Sequence, residues 1–282
     1  MHALTAFRRI AGEALGHFNT DDGWAMASHL AINAIMALFP FLIFTVALAS
    51  FLGAGAYADR VVHLIFETLP QEVAGPIGAE VENVLKARRG GVLTLGVAGA
   101  AFFASNGVEA LRLSLNRAYR VNERRSFIWL RIQSLGFVLV ATAGFLTISL
   151  LLVVVPVAAS LAARHLEWIE PYLGTITLWR YVIAVAVLVG ALALVHLWLP
   201  AGRRRLADVM PGIVFTLAGW LAGSSLFAAY LARFNSYAST YAGLASIMIA
   251  VVFLYIISAV FILGGEINAA IMRHRGRPMA AH

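Results

Sequence analysis

The sequence contains no cysteine among its 282 residues. Disulfides, thiolate metal sites and cysteine nucleophiles are thereby excluded. Charge is scarce as well: 12% of the residues are Asp, Glu, Lys or Arg, where a soluble domain averages roughly 25%. The complement is 61% hydrophobic residues. A soluble fold of this length cannot hide that much apolar surface, so the bilayer is the expected solvent. Lysine is nearly missing too: Lys86 is the one lysine, and the other basic residues are Arg. Catalytic motifs are missing. There is no G-x-S-x-G, no P-loop and no H-E-x-x-H. Gly53-Ala54-Gly55 follows an apolar helix rather than a strand, so it is no nucleotide fingerprint. His29 and His196 have no carboxylates at ligand spacing. The expectation is a protein that is not an enzyme, with no catalytic residues, no metal and no cofactor. Any transport it performs is not powered by its own ATP hydrolysis.

What is present is a series of long apolar runs. The first, within Trp24 to Gly53, carries no charge from Ala31 onward. A helix needs roughly 20 apolar residues to cross a hydrocarbon core, and this run is long enough. It is too long, and starts too late, for the apolar region of a cleavable signal. Pro40 in its middle is expected to kink it. Further spans are predicted at about 91–111, 134–161, 179–199, 209–231 and 243–267. The fifth contains Gly219-x-x-x-Gly223, which allows two helix backbones to approach closely. That approach could be internal or between subunits. Residues 4–18 place Leu4, Phe7, Ala11, Ala14, Leu15 and Phe18 on one face, the pattern of an interfacial amphipathic helix. Residues 57–89 carry too many charges to span and read as two short amphipathic helices capping the outer face. The fold expected is therefore an all-α polytopic bundle of six transmembrane helices. It forms a single domain over 1–282, with an interfacial helix at 1–20, a periplasmic cap at 57–89 and a cytoplasmic tail at 272–282.

Six spans put both termini on one side. The N-terminus, the second and fourth loops and the tail hold 14 of the 21 basic residues. The other side holds Arg60, Lys86, Arg88, Arg89, Arg164, Arg180 and Arg233. This excess directs both termini to the cytoplasm. The Arg residues fall in short loop clusters, not on one contiguous basic face with interleaved aromatics, so nucleic acid is not an expected partner. Membrane lipids are. An envelope protein or a second copy of the chain is a further candidate.

In that orientation His29, Asn33, Asn106, Glu109, His196, Glu266 and Asn268 all fall in the cytoplasmic third of their spans, as do Gln133 and Asp208. Polar groups inside a membrane are costly and tend to face a bundle interior or a hydrated cavity. The seven are the expected lining of a cytoplasm-facing cavity, with Glu109 and Glu266 coupling protonation to movement. Arg117, Arg120 and Arg124 would attract an anionic headgroup at its mouth. Asn235, Tyr237 and Tyr241 form a separate outer group, an expected gate. The plainer reading is structural: Glu109 pairs with Arg112 at i, i+3, and Glu266 with a nearby Arg.

Several segments resemble the YihY / virulence factor BrkB family of bacterial inner-membrane proteins, also carried under an old ribonuclease BN label. They are Ala27-Ser28-His29-Leu30-Ala31 through Ala37-Leu38-Phe39-Pro40, then Leu115-Asn116-Arg117-Ala118-Tyr119, then the Tyr237-x-x-x-Tyr241 pair, and finally Ile262-Leu263-Gly264-Gly265-Glu266-Ile267-Asn268-Ala269. The chain departs from the family pattern at Tyr241-Ala242-Gly243, where Tyr-Gly is usual, and at Phe253-Leu254-Tyr255, where a Trp is frequent. The resemblance implies six helices and an inner-membrane location, and associates the chain with lipid or lipopolysaccharide export, ion exchange or serum resistance. The leading expectation is a transporter or flippase-like exporter of a lipid or other amphipathic anion. Cation/proton antiport and a non-transporting envelope scaffold are the alternatives. The ribonuclease label lacks a His–Asp cluster in a soluble groove.

Overall fold

The computed structural model describes residues 2–51, 91–233 and 242–276. The expected outer cap at 57–89 and the outer gate of Asn235, Tyr237 and Tyr241 lie outside the described residues, as does the tail beyond 276. Within them every regular element is helical. The α-helices in chain order are α1 (His2–Thr20), α2 (Gly23–Phe51), α3 (Gly91–Ala118), α4 (Phe127–Ser149), α5 (Val155–His165), α6 (Leu173–Trp198), α7 (Leu206–Arg233) and α8 (Ala242–His274), with a π-helical turn before α5 and a 3-10 helix, Glu167–Tyr172, after it.

Five stretches are long and apolar enough to cross a membrane: Gly23–Leu48, Phe127–Ala163, Glu170–Trp198, Leu206–Leu231 and Ile247–His274. These match the first, third, fourth, fifth and sixth predicted spans, with shifted ends. The second predicted span is also helical, as α3, but its helix runs on through Arg112 and Arg117. The Phe127–Ala163 stretch joins α4 to α5 through a π-helical turn, Leu150–Val154. Pro156 follows in the first turn of α5. A π-turn is a usual way for a helix to absorb a proline, which lacks an N–H and crowds the preceding turn. Pro40, by contrast, lies inside α2, which continues to Phe51.

The chain divides into two compact units. One comprises 1–40, 102–134 and 193–282; the other comprises 41–101 and 135–192. Among the described residues, the interior of the second is apolar apart from two threonines. Phe41 packs edge-on against Phe145, Gly144 faces Val187, and the hydroxyls of Thr45 and Thr142 meet at 3.4 Å in an otherwise apolar interior.

The first unit is built on a close crossing of α7 and α8. Gly212 and Gly264 face one another: a Cβ on Gly212 would overlap the Gly264 carbonyl oxygen, and a Cβ on Gly264 would meet Thr216 Oγ1 and the Gly212 carbonyl. Farther along α7, Gly219 lies under Val260 and Gly223 under Ile256. The Gly219-x-x-x-Gly223 pattern therefore serves an internal contact. Helix α1 packs on α8, burying Ala14 and Phe18. The turn into α2 is tight. Gly23 leaves room for the Phe18 ring, and Asp22 adopts φ 56°.

Candidate functional site

All seven residues expected to line a cavity belong to the first unit. They are not equivalent there. His29 is exposed on α2, and Asn33 Nδ2 donates to the His29 carbonyl at 2.8 Å, within its own helix. Of the other five, Asn106 and Glu109 enter one of three polar clusters and His196 and Asn268 another, while Glu266 stands apart, near Arg120.

The first cluster joins α3 to α4. Arg112 is 2% exposed. Its guanidinium donates to Glu109, to Ser134 Oγ at 2.6 Å and to the Leu130 carbonyl at 3.0 Å. Ser134 Oγ donates in turn to Glu109 Oε1 at 2.8 Å. Nearby, Arg131 donates to Ser105 Oγ at 2.6 Å and Asn106 Oδ1 at 3.0 Å, and stacks 4.2 Å over the Phe102 ring. Glu109 is thus ion-paired, as its i, i+3 spacing to Arg112 suggested.

The second cluster holds the 119–126 loop against the end of α6. Arg125 clasps Glu123 at 2.5 and 2.8 Å and donates to the Leu199 carbonyl at 2.9 Å. Asn116 Nδ2 donates to Glu123 at 3.1 Å, and Asn116 Oδ1 accepts from Ala201 N–H at 2.8 Å. Burial by itself would raise the Glu123 carboxyl. The hydrogen bonds from the Arg125 side chain and backbone and from Asn116 outweigh it and bring the pKa down to about 2. The sign follows directly. A depressed folded pKa stabilises the fold above the unfolded value, near 4.5, and that stabilisation is lost as pH falls toward 2. The melting temperature in detergent should therefore fall between pH 4.5 and 2, and Glu123→Gln should flatten part of that slope.

The third cluster is the most deeply buried. Tyr119 and His196 are both 0% exposed, and the Tyr119 hydroxyl lies 2.8 Å from His196 Nδ1. Asn268 Nδ2 donates to the Tyr119 oxygen at 3.2 Å, and Asn268 Oδ1 accepts from Gly212 N–H at 2.7 Å. Four segments meet here: the end of α3, α6, α7 and α8. The absence of a side chain on Gly212 leaves the space that the Asn268 amide fills. Arg204 lies 3.8 Å over the face of the Tyr119 ring, held by one bond to the Ala201 carbonyl at 2.9 Å. Burial pushes the Tyr119 hydroxyl up to about 12, although Arg204 and Asn268 pull the other way. Tyr119 keeps its proton.

Ion pairs tie α1 to this unit. Arg120 binds Asp21 at 2.5 Å, Arg117 binds Asp22 at 2.7 Å, and Arg273 binds Glu13 at 2.5 Å. Glu266, 1% exposed, is 3.9 Å from Arg120. Arg120 takes the left-handed C-cap position of α3, with φ 53°, where glycine is the usual occupant. Two of the three arginines expected at a cavity mouth therefore hold the α1–α2 turn; Arg124 is exposed.

Nine buried side-chain atoms of the first unit have no hydrogen-bond partner among the described residues. Six are guanidinium nitrogens: Arg112 Nε, Arg131 Nε, Arg204 Nε and Nη1, and Arg273 Nη1 and Nη2. The others are His196 Nε2, Thr216 Oγ1 and Glu266 Oε2. Sequence reasoning overlooked Tyr119, which looks like a helix-end aromatic. It also overlooked Arg204, which sits in an Arg run that reads as a topology signal.

A family model described as "Virulence factor BrkB" matches residues 14–281. The chain is 31% identical over 270 residues to "Putative ribonuclease-like protein YfkH" of Bacillus subtilis (strain 168), covering 94% of this chain and 96% of that protein. It is 27% identical over 271 residues to "UPF0761 membrane protein RC1_0578" of Rhodospirillum centenum (strain ATCC 51521 / SW), covering 94% of this chain and 58% of that longer protein. No solved structure matches the chain.

Proposed function

This chain belongs to the virulence factor BrkB family of membrane proteins, and from that premise we propose that it moves an amphipathic anion, such as an anionic lipid, across the bacterial inner membrane. The observation that carries this reading is the sign of the unpartnered groups. Among the unpartnered buried atoms described in the first unit, six are guanidinium nitrogens, spread over four arginines, and one is a carboxylate oxygen. A buried donor without an acceptor costs about 1–3 kcal/mol, and such groups in a native protein call for an explanation. An anionic headgroup supplies acceptors of the kind these guanidinium nitrogens lack. A cation supplies none, which sets cation/proton antiport behind. The same reading includes a sixth span in α3, whose 28 residues reach about 42 Å at helical rise. It places α1 at the interface and both termini in the cytoplasm, in line with the Arg distribution.

It is a carrier's role, not a catalyst's. The ribonuclease-like wording in the name of the Bacillus relative is not extended to this chain, because RNA cleavage calls for a solvated acid–base or metal cluster. A non-transporting scaffold is the second reading. The Glu109–Arg112 pair favours it, since a carboxylate already held by Arg has less reason to carry protons.

The test is reconstitution of the whole protein into vesicles with fluorescent phosphatidylglycerol and, separately, phosphatidylcholine. Protein-dependent movement of the anionic lipid is expected, falling at least tenfold in Arg204→Gln. No movement, or equal movement of both lipids, would sink the proposal. A stable co-purifying envelope protein without lipid movement would favour the scaffold.

A further inference from the structure

The third cluster has a direction. A backbone N–H can only donate, so Gly212 fixes Asn268 Oδ1 as an acceptor. The Asn268 amide nitrogen then faces Tyr119 and must donate to its oxygen. The Tyr119 proton is left for His196 Nδ1, the other atom within reach of that hydroxyl. Were Nδ1 to donate instead, the Tyr119 oxygen would accept twice and its own proton would have no acceptor. The chain of bonds is complete only in one sense: Gly212 to Asn268 to Tyr119 to His196. Neutral imidazole carries one proton. With Nδ1 accepting, that proton sits on Nε2.

His196 Nε2–H is then a donor inside a fully buried side chain, and it has no acceptor among the described residues. Arg204 presents the same need on the same tyrosine. Its guanidinium lies over the Tyr119 face, with Nε and Nη1 buried and unpartnered. The His196 ring is set perpendicular to the Tyr119 ring at 6.1 Å. Two side chains that touch Tyr119 thus carry buried donors without acceptors: His196 at Nε2, on the side of its ring away from the hydroxyl, and Arg204 at Nε and Nη1. Arg204 comes from the loop before α7 and is half-buried as a residue, with its Nε and Nη1 turned inward.

We propose that Arg204 and the Nε2–H of His196 form an oxyanion site about Tyr119, which takes a phosphate-class group, and that Asn268 and Tyr119 are positioning residues that set the donor tautomer of His196. The site deepens the anion-transport reading and rests on it for its role, but its chemistry is tested apart from transport. The shared ligand chemistry is a phosphate oxygen, from free phosphate or from a lipid headgroup.

The experiment uses the full chain labelled with 15N-histidine in nanodiscs of phosphatidylcholine. The His196 signals are assigned by their loss in His196→Gln. At pH 7.5 the expected pattern is a protonated Nε2 and a bare Nδ1, and in Tyr119→Phe a second tautomer should enter. Inorganic phosphate is then added in one arm, and phosphatidylglycerol replaces part of the phosphatidylcholine in the other. A shift of the Nε2 resonance in either arm, lost in Arg204→Gln, supports the site. The arm in which it occurs names the source of the phosphate. A protonated Nδ1, or a correct tautomer whose Nε2 moves in neither arm, overturns the site. Lipid movement in the vesicle assay would stand in that case, so failure of the site and failure of the transport reading are told apart.

Discussion

Glu109→Gln should unfold a large fraction of the protein rather than silence a working one. Arg112 is 2% exposed and its charge is balanced by Glu109. Removing one partner of a buried pair leaves an uncompensated charge and costs about 3–5 kcal/mol. Gln keeps an acceptor oxygen and Glu109 is partly exposed, so the lower end of that range is expected. The measurement is thermal unfolding of the purified protein in detergent, with folded yield by size-exclusion chromatography. Glu109→Gln combined with Arg112→Met should recover most of the loss, because an apolar pair of similar volume leaves no buried charge behind. If the double variant is no better than the single one, the ion pair is not what holds α3 to α4. Glu266→Gln provides the contrast. Its Oε2 makes no hydrogen bond and Arg120 stands off at 3.9 Å, so folded yield should change little. A transport defect in Glu266→Gln would then report on function, which Glu109→Gln cannot do.

Gly212→Ala should be the most damaging single methyl that can be added to α7. Its Cβ would overlap the Gly264 carbonyl oxygen, which is backbone and cannot swing away, and would crowd the Asn268 amide. Overpacking of this kind typically costs about 1–3 kcal/mol and occasionally more. Here the upper end is expected, because the methyl also disturbs the hydrogen bond that starts the Tyr119–His196 chain. Gly264→Ala should follow, since Thr216 Oγ1 can rotate but the Gly212 carbonyl at 2.8 Å cannot. Gly219→Ala meets a Val260 methyl at 2.6 Å, and Gly223→Ala meets Ile256 at 3.4 Å. Resistance to unfolding by sodium dodecyl sulfate should therefore rise along the series 212, 264, 219, 223. A flat series would mean that α7 and α8 do not cross as closely as described.

The two glycine pairs show where sequence reading stops. Gly219-x-x-x-Gly223 announces that some backbone comes close, but the spacing is the same for an internal and an intersubunit contact. Val260 and Ile256 on α8 decide it. Gly264 and Gly265 stand out in the sequence beside Glu266 and Asn268, yet their work differs by helical angle. Gly264 admits α7, and Gly265 faces Leu115 and Ala118. Glu109 was legible as half of an i, i+3 pair because its partner is one turn away. His196 and Asn268 were legible only as intramembrane polar residues. Their shared partner, Tyr119, is 77 residues from one and 149 from the other. Arg117 and Arg120 looked like a free cationic rim, because the sequence does not say that Asp21 and Asp22 fold back onto them.

The sequence by itself determined the solvent and the secondary structure. With 61% hydrophobic residues in long uncharged runs, the chain belongs in a bilayer. There only a structure that satisfies its own backbone hydrogen bonds survives, and for these runs that structure is the helix. What only the tertiary structure decided is the pairing of the few polar groups. Each is too short to find a partner on its own helix beyond one turn, and in a low-dielectric interior each is costly until another helix brings one. Which arginines are neutralised and which buried donors are left without an acceptor follows from how α3, α4, α6, α7 and α8 meet.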